Sequence, residues 1–162
     1  PGLHWDDATY SGDAYGTYAW GCDVVEVTYD RVTYAVRATK LTAVQEFGRP
    51  INPVLARGQI EGGSAQGVGW ALMEEVVMKD GAMANAQLTN YTIPTTLDTP
   101  RFDTVMLDNP YPHGAFGAKG VGELPMNGPG PAIVNALRHI GLDLRQLPAT
   151  PERVMEAANG RA

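Results

Sequence analysis

The chain has 162 residues, 44% of them hydrophobic, with a formal net charge of −6. That length suits one domain with its own core, and the acidic balance argues against nucleic acid or an anionic membrane surface as a partner. The single cysteine, Cys22, excludes an internal disulfide and a cysteine-rich metal site, and no apolar run approaches the roughly 18 residues that span a bilayer.

Residues 1–17 are polar, aromatic and glycine-containing, and read as an extended arm. No basic start followed by an apolar stretch marks a secretory signal. Two strand-like runs follow, residues 18–29 and 31–41, around Asp30-Arg31. Their β-branched and aromatic content predicts a hairpin, although no Asn-Gly or Asp-Gly pair marks the turn. Cys22 falls inside the first run, where a small buried hydrophobe is the expected role.

Asn52-Pro53 is a helix start, with asparagine as the cap and proline in the first turn. Leu55, Ile60, Val68, Leu72 and Val76 form a helical stripe from Val54 to about Met78. Gly58, Gly62, Gly63, Gly67 and Gly69 interrupt it, each at a cost of about 1 kcal/mol relative to alanine. They imply either a broken helix or close packing against something. Gln66, flanked by small residues, could hydrogen-bond a ligand or simply face solvent.

Beyond the Lys79-Asp80-Gly81 turn, strands are expected around residues 87–93 and 102–107. A glycine-rich loop spans 114–130, then a helix from Pro131 to about His139. Thr150-Pro151 caps a short last helix. This order of elements predicts an α+β fold, with helices packed on a mixed or antiparallel sheet. Residues 18–162 read as one domain.

The loop His113-Gly114-Ala115-Phe116-Gly117-Ala118-Lys119-Gly120-Val121-Gly122-Glu123-Leu124-Pro125 is the most unusual stretch. Its glycines would let backbone N–H groups approach a bulky anionic ligand. Lys119 could add a positive charge. Glu123, beside Leu124-Pro125, could act as a general base. An ordinary glycine loop with a solvated glutamate and lysine fits the composition too, and both readings stand at this point. The pattern lacks the Lys-Ser or Lys-Thr ending of a phosphate-binding loop, and no strong strand runs into it. His4, His113 and His139 do not fall at metal-ligand spacing; His113 borders the loop and lines a site or faces solvent.

Five segments in order change the balance. Gly58-Gln59-Ile60-Glu61-Gly62-Gly63-Ser64-Ala65-Gln66-Gly67 resembles the Gly-Gln-x-Glu-Gly-x-x-x-Gln-Gly segment of the xanthine dehydrogenase and aldehyde oxidase family, the molybdenum hydroxylases. Lys119-Gly120-Val121-Gly122-Glu123 is similar to that family's active-site loop. Gly48 to Pro53, Asn90-Tyr91-Thr92-Ile93-Pro94 and the tail from Leu147 to Val154 also resemble it. The resemblance covers most of residues 18–157 and points to the C-terminal part of the molybdopterin-binding subunit.

The resemblance implies a molybdopterin-bound molybdenum, the pterin plain or in its cytosine dinucleotide form. It implies Glu123 as the base that takes a proton from the metal's hydroxide ligand, with no residue of this chain ligating the metal directly. It places Gln66 against the cofactor and Lys119, Gly120, Val121 and Gly122 beside it. Partners implied are a chain carrying the rest of the molybdopterin-binding domain, an iron–sulfur subunit with two [2Fe–2S] clusters, and an FAD subunit. The expected reaction is oxidative hydroxylation of an aldehyde or N-heterocycle with water; a non-catalytic assembly module is the alternative. A cytoplasmic location is expected, or a periplasmic one if a partner carries the export signal. Substrate and electron acceptor stay open, since the residues that choose them belong to other regions.

Overall fold

In the computed structural model, which describes residues 4–160, the N-terminal stretch carries a small exposed hairpin. Trp5–Asp6 (β1) pairs antiparallel with Ser11–Gly12 (β2). Asp6 closes the turn by accepting from the Ala8 amide at 2.8 Å and the Thr9 hydroxyl at 2.9 Å.

Trp20–Tyr29 (β3) pairs antiparallel with Val36–Glu46 (β4), from Trp20 opposite Glu46 to Tyr29 opposite Val36. The predicted hairpin is present, but its second strand starts five residues later than the pattern suggested and runs on to Glu46 (31 against 36). The reason is local. The Asp30 carboxylate accepts the amides of Val32 and Thr33 at 2.7 and 3.2 Å, and Tyr34 takes a positive φ of 61°. Turn chemistry therefore overrides the β propensity of Val32-Thr33-Tyr34. At the far end, Leu41, Ala43 and Gln45 face the core and keep the strand going.

Cys22 corrects its expected role: it is exposed. Strand alternation puts Asp23, Val25 and Val27 on the covered face, and Cys22 and Val24 on the other.

Pro53–Leu72 (α1) is an unbroken helix of 20 residues despite its glycines. The Asn52 side chain accepts from the Leu55 amide at 3.1 Å, and Pro53 occupies the first turn. The helix ends at Leu72, short of Met78, because the amides of Met73 and Glu74 both turn back to the Gly69 carbonyl. Of the two explanations for the glycines, close packing holds at three of them. A Cβ on Gly67 would stand 2.8 Å from the Met126 carbonyl oxygen, one on Gly63 3.0 Å from Pro125 Cβ, and one on Gly69 2.6 Å from Pro94. At Gly58 and Gly62 nothing lies within 4 Å.

Met78–Lys79 (β5) and Ala82–Met83 (β6) form a short exposed hairpin. The strand expected at 87–93 is instead a turn: the amides of Asn90 and Tyr91 both donate to the Gln87 carbonyl. Among the described residues no neighbouring strand pairs with this segment, so its local hydrogen bonds prevail. Arg101–Leu107 (β7) then joins β4 in parallel, giving a mixed sheet of order β3-β4-β7. The long crossover containing α1 is what a parallel neighbour requires.

Leu124–Asn127 (α2) and Pro129–His139 (α3) follow the glycine loop, and Pro151–Ala158 (α4) closes the chain with Thr150 as its cap. α3 thus starts two residues earlier than expected. Ile60, Val68 and Ala71 of α1, Leu41 and Ala43 of β4, Ile133 and Leu137 of α3 and Val154 of α4 form the core. Each large side chain among them contributes roughly 1.5–3 kcal/mol relative to exposure. Helices thus lie on one face of a mixed sheet, the α+β arrangement the element order predicts.

Candidate functional site

The glycine loop is stitched to the corner that follows β4. The Lys119 amide donates to the Phe47 carbonyl at 2.8 Å, and the Arg49 amide to the Gly117 carbonyl at 2.8 Å. Gly48 makes this approach possible. Its φ is +77°, and a Cβ there would stand 2.3 Å from the Gly117 oxygen. Only glycine fits both constraints.

Lys119 extends back under the loop. Its ammonium donates to Glu46 Oε2 at 2.7 Å and to the Tyr18 carbonyl at 3.0 Å. The two side chains of the ion pair are only 8% and 9% exposed. Glu46 also accepts the Gly48 amide at 2.9 Å. Burial pushes the Glu46 carboxyl up. The Lys119 and Gly48 hydrogen bonds and the Lys119 charge outweigh this and hold it below the usual carboxylate range.

From Lys119 the chain runs through Gly120, Val121 and Gly122 to Glu123, which directly precedes α2. Two segments wall a cleft of about 670 Å³: Lys119, Gly120, Gly122 and Glu123 of the loop, and Tyr15, Thr17, Tyr18 and Ala19 of the second. The Tyr111 hydroxyl, donating to the Gly16 carbonyl at 3.0 Å, helps hold that second wall. Glu123 is exposed, so the apolar surroundings expected for it are not built by this chain. A Cβ on Gly120 or Gly122 would likewise meet nothing within 4 Å. Packing inside the chain thus does not demand glycine there, and the bare backbone leaves room for a large ligand.

Not every predicted residue comes to this cleft. Gln66 is exposed on α1 and lines a separate hollow with Glu74, Ile93, Pro94 and Thr99. Val121 faces a third, beside Phe47 and Gln59. His113 is exposed and meets Tyr111 edge-on, with ring centres 5.6 Å apart. Among the described residues no three His, Cys, Asp or Glu side chains are grouped to hold a metal.

Sequence reasoning missed Glu46 and Tyr18, which complete the Lys119 network. It also missed Asp23, whose carboxylate accepts the Gln45 amide at 3.0 Å. Burial raises the Asp23 carboxyl to about 6, against the lowering effect of Gln45. For Glu46, the one acid in the run from Val36 to Glu46 was the available signal; Asp23 shares its run with Glu26 and had no such mark.

The fold is thus an α+β layer with a glycine-rich loop that ends in an exposed carboxylate at the rim of a cleft. The comparisons specify its family. Residues 2–100 match the family described as molybdopterin cofactor-binding domain, and the chain belongs to that family, in the molybdopterin-binding subunit region of the molybdenum hydroxylases. It is 36% identical over 141 residues to the putative xanthine dehydrogenase molybdenum-binding subunit XdhA of Escherichia coli, covering 85% of this chain and 19% of that protein. It is 37% identical to the aldehyde oxidoreductase of Megalodesulfovibrio gigas, covering 95% of this chain and 17% of the relative. Crystal structures agree. The aldehyde oxidoreductase from Desulfovibrio gigas superposes with a TM-score of 0.85 at 36% identity, over 96% of this chain and 17% of that one. Quinoline 2-oxidoreductase from Pseudomonas putida 86 gives 0.78 at 39%, over 85% and 18%. The chain therefore spans about a fifth of the length of these relatives.

Proposed function

We propose that this chain forms the C-terminal part of the molybdopterin-binding portion of a molybdenum hydroxylase, with residues 18–162 as its domain and residues 1–17 as an N-terminal arm. The complete enzyme oxidatively hydroxylates an aldehyde or an N-heterocycle, with water as the oxygen source. The observation that carries this is the pairing of an exposed carboxylate with bare backbone. Glu123 stands at the cleft rim, and Gly120 and Gly122 present no side chain beside it.

The cofactor, when bound, would supply the redox chemistry. The Glu123 carboxylate, exposed at the cleft rim, would act there as a general base that holds the proton. The backbone of Gly120, Val121 and Gly122 offers N–H groups, and the stretch from Lys119 to Gly122 allows close approach to the pterin. Gln66, with a donor and an acceptor on one neutral side chain, hydrogen-bonds the cofactor from α1. The pterin is plain or in its cytosine dinucleotide form.

The rest of the molybdopterin-binding domain packs against the uncovered sheet face, where Trp20, Val24, Val105 and Leu107 are exposed. Such an apolar patch is a docking surface. Further chains supply two [2Fe–2S] clusters and FAD; the single cysteine of this sequence falls short of the thiolate set of such a cluster. Among the described residues no helix is long and apolar enough to cross a membrane; the proposed location is cytoplasmic, or periplasmic if a partner carries the export signal.

The test is Glu123→Gln in the assembled enzyme, assayed for turnover and for molybdenum and pterin content. Lost turnover with full cofactor supports the base. Retained turnover leaves the chain as a non-catalytic assembly module.

A further inference from the structure

We propose that Lys119 and Glu46 form a buried charge clamp that sets the spacing between the two walls of the Glu123 cleft, so that the Lys119 side chain is a positioning group and not a ligand of the anionic cofactor. The inference rests on the reading of Glu123 as the base.

The geometry accounts for the lysine's charge and most of its donors. One N–H meets Glu46 Oε2 at 2.7 Å and a second meets the Tyr18 carbonyl at 3.0 Å. An ammonium has three donors, and a carboxylate in contact neutralises its charge. Little attraction is left for a phosphate or a pterin anion. Both side chains are nearly out of water, so salt screens the pair far less than a surface bridge.

The clamp also has leverage. Tyr18 belongs to the N-terminal segment that lines the cleft together with the loop. The ammonium therefore ties that segment to Glu46 at the end of β4, while the Lys119 amide ties the loop to Phe47. Beyond Lys119 the chain runs through exposed Gly120 and Gly122, with Val121 between them half-buried against the core. Its next anchor is α2, where the Ser64 hydroxyl donates to the Pro125 carbonyl at 3.5 Å and Gly63 packs against Pro125. Glu123 directly precedes α2, its carbonyl accepting the Met126 amide at 3.2 Å. Releasing the Lys119 anchor loosens the loop that leads to Glu123, and displacement of a reacting group by about 1 Å costs on the order of a hundredfold in rate.

The experiment uses the assembled holoenzyme with Lys119→Met, Glu46→Gln and the double variant Glu46→Leu/Lys119→Met. Turnover per bound molybdenum, KM, pterin content and the thermal midpoint are measured for each. The clamp requires both single variants to lose at least about tenfold in kcat with KM within about twofold and pterin retained. The double variant, which carries no buried charge, should lose no more than the worse single, because the two residues act as one unit. Three results overturn the proposal. Lys119→Met that sheds pterin while Glu46→Gln keeps it makes the lysine a cofactor ligand. Losses that multiply in the double variant make the residues independent. A lowered thermal midpoint with wild-type kcat makes the pair merely structural.

Should a single variant fail to assemble, the double variant decides alone, since a lone buried charge is the costly case and an apolar pair is tolerated. Full pterin with slowed turnover upholds the clamp; wild-type turnover sinks it. Glu123→Gln is assayed alongside. Retained turnover there removes the base, whereas loss there with unaffected clamp variants removes only the clamp.

Discussion

Gln45 donates its side-chain amide to Asp23 at 3.0 Å across the β3–β4 pair, and its own Oε1 is left without a hydrogen-bond partner among the described residues. Gln45 is fully buried and Asp23 half-buried, so the pair sits where an ionised carboxylate is poorly solvated.

The stability of the chain should therefore depend on pH through Asp23. Its carboxyl is raised from 3.8 to about 6 on folding. Between those values the folded state keeps a proton that the unfolded chain has released. The group's contribution is full below 3.8, falls as pH rises through about 6 and is gone above it. Asp23→Asn removes the titration and offers Gln45 Oε1 a donor. Thermal unfolding at pH 4 and pH 7 should show the variant gaining on the wild type at the higher pH. An equal difference at both pH values would rule this out.

Gly128→Ala tests how tightly the same corner is packed. A Cβ there would stand 1.8 Å from Asp23 Oδ2, at the residue that precedes α3. Overpacking of this kind costs about 1–3 kcal/mol, and denaturant unfolding should register it. Unchanged stability would mean that Asp23 can swing away freely.

The glycines of α1 should divide by face. Gly67→Ala places a methyl 2.8 Å from the Met126 carbonyl and should destabilise the chain. Gly62→Ala meets nothing within 4 Å and should stabilise the isolated chain by up to about 1 kcal/mol through helix propensity. Chemical denaturation of both variants checks the contrast. Equal effects would contradict the packing of α1 on α2.

On the catalytic side, Glu123→Gln should lower turnover by roughly 10²- to 10⁴-fold, the usual contribution of a general base. Molybdenum and pterin content should stay level. Gln66→Ala should act the other way, lowering pterin content while slowing turnover only mildly. Gln66 belongs off the site if neither quantity moves.

Several features could be read directly from the residues because their causes are local. Asn52-Pro53 and Thr150-Pro151 start helices through hydrogen bonds within three residues. The Lys119-Gly120-Val121-Gly122-Glu123 stretch could be singled out because glycine on both sides of a valine, next to a carboxylate, is a backbone property. The α+β class followed from the order of such elements. Even the errors were of one kind. Val32-Thr33-Tyr34 looked like a strand, residues 87–93 looked like another, and Cys22 looked buried, because propensity does not say which neighbour will pair or which face will be covered.

What tertiary structure alone decided lies far apart in sequence. Lys119 finds Glu46 across 73 residues, and its ammonium reaches Tyr18 across 101. β4 accepts β7 in parallel only after α1 has crossed between them. Asp23 and Gln45 meet because the β3–β4 register sets their rows side by side. Periodicity within a segment records which face is apolar, but the partner of a buried charge is fixed by three-dimensional proximity. No local pattern carries that information.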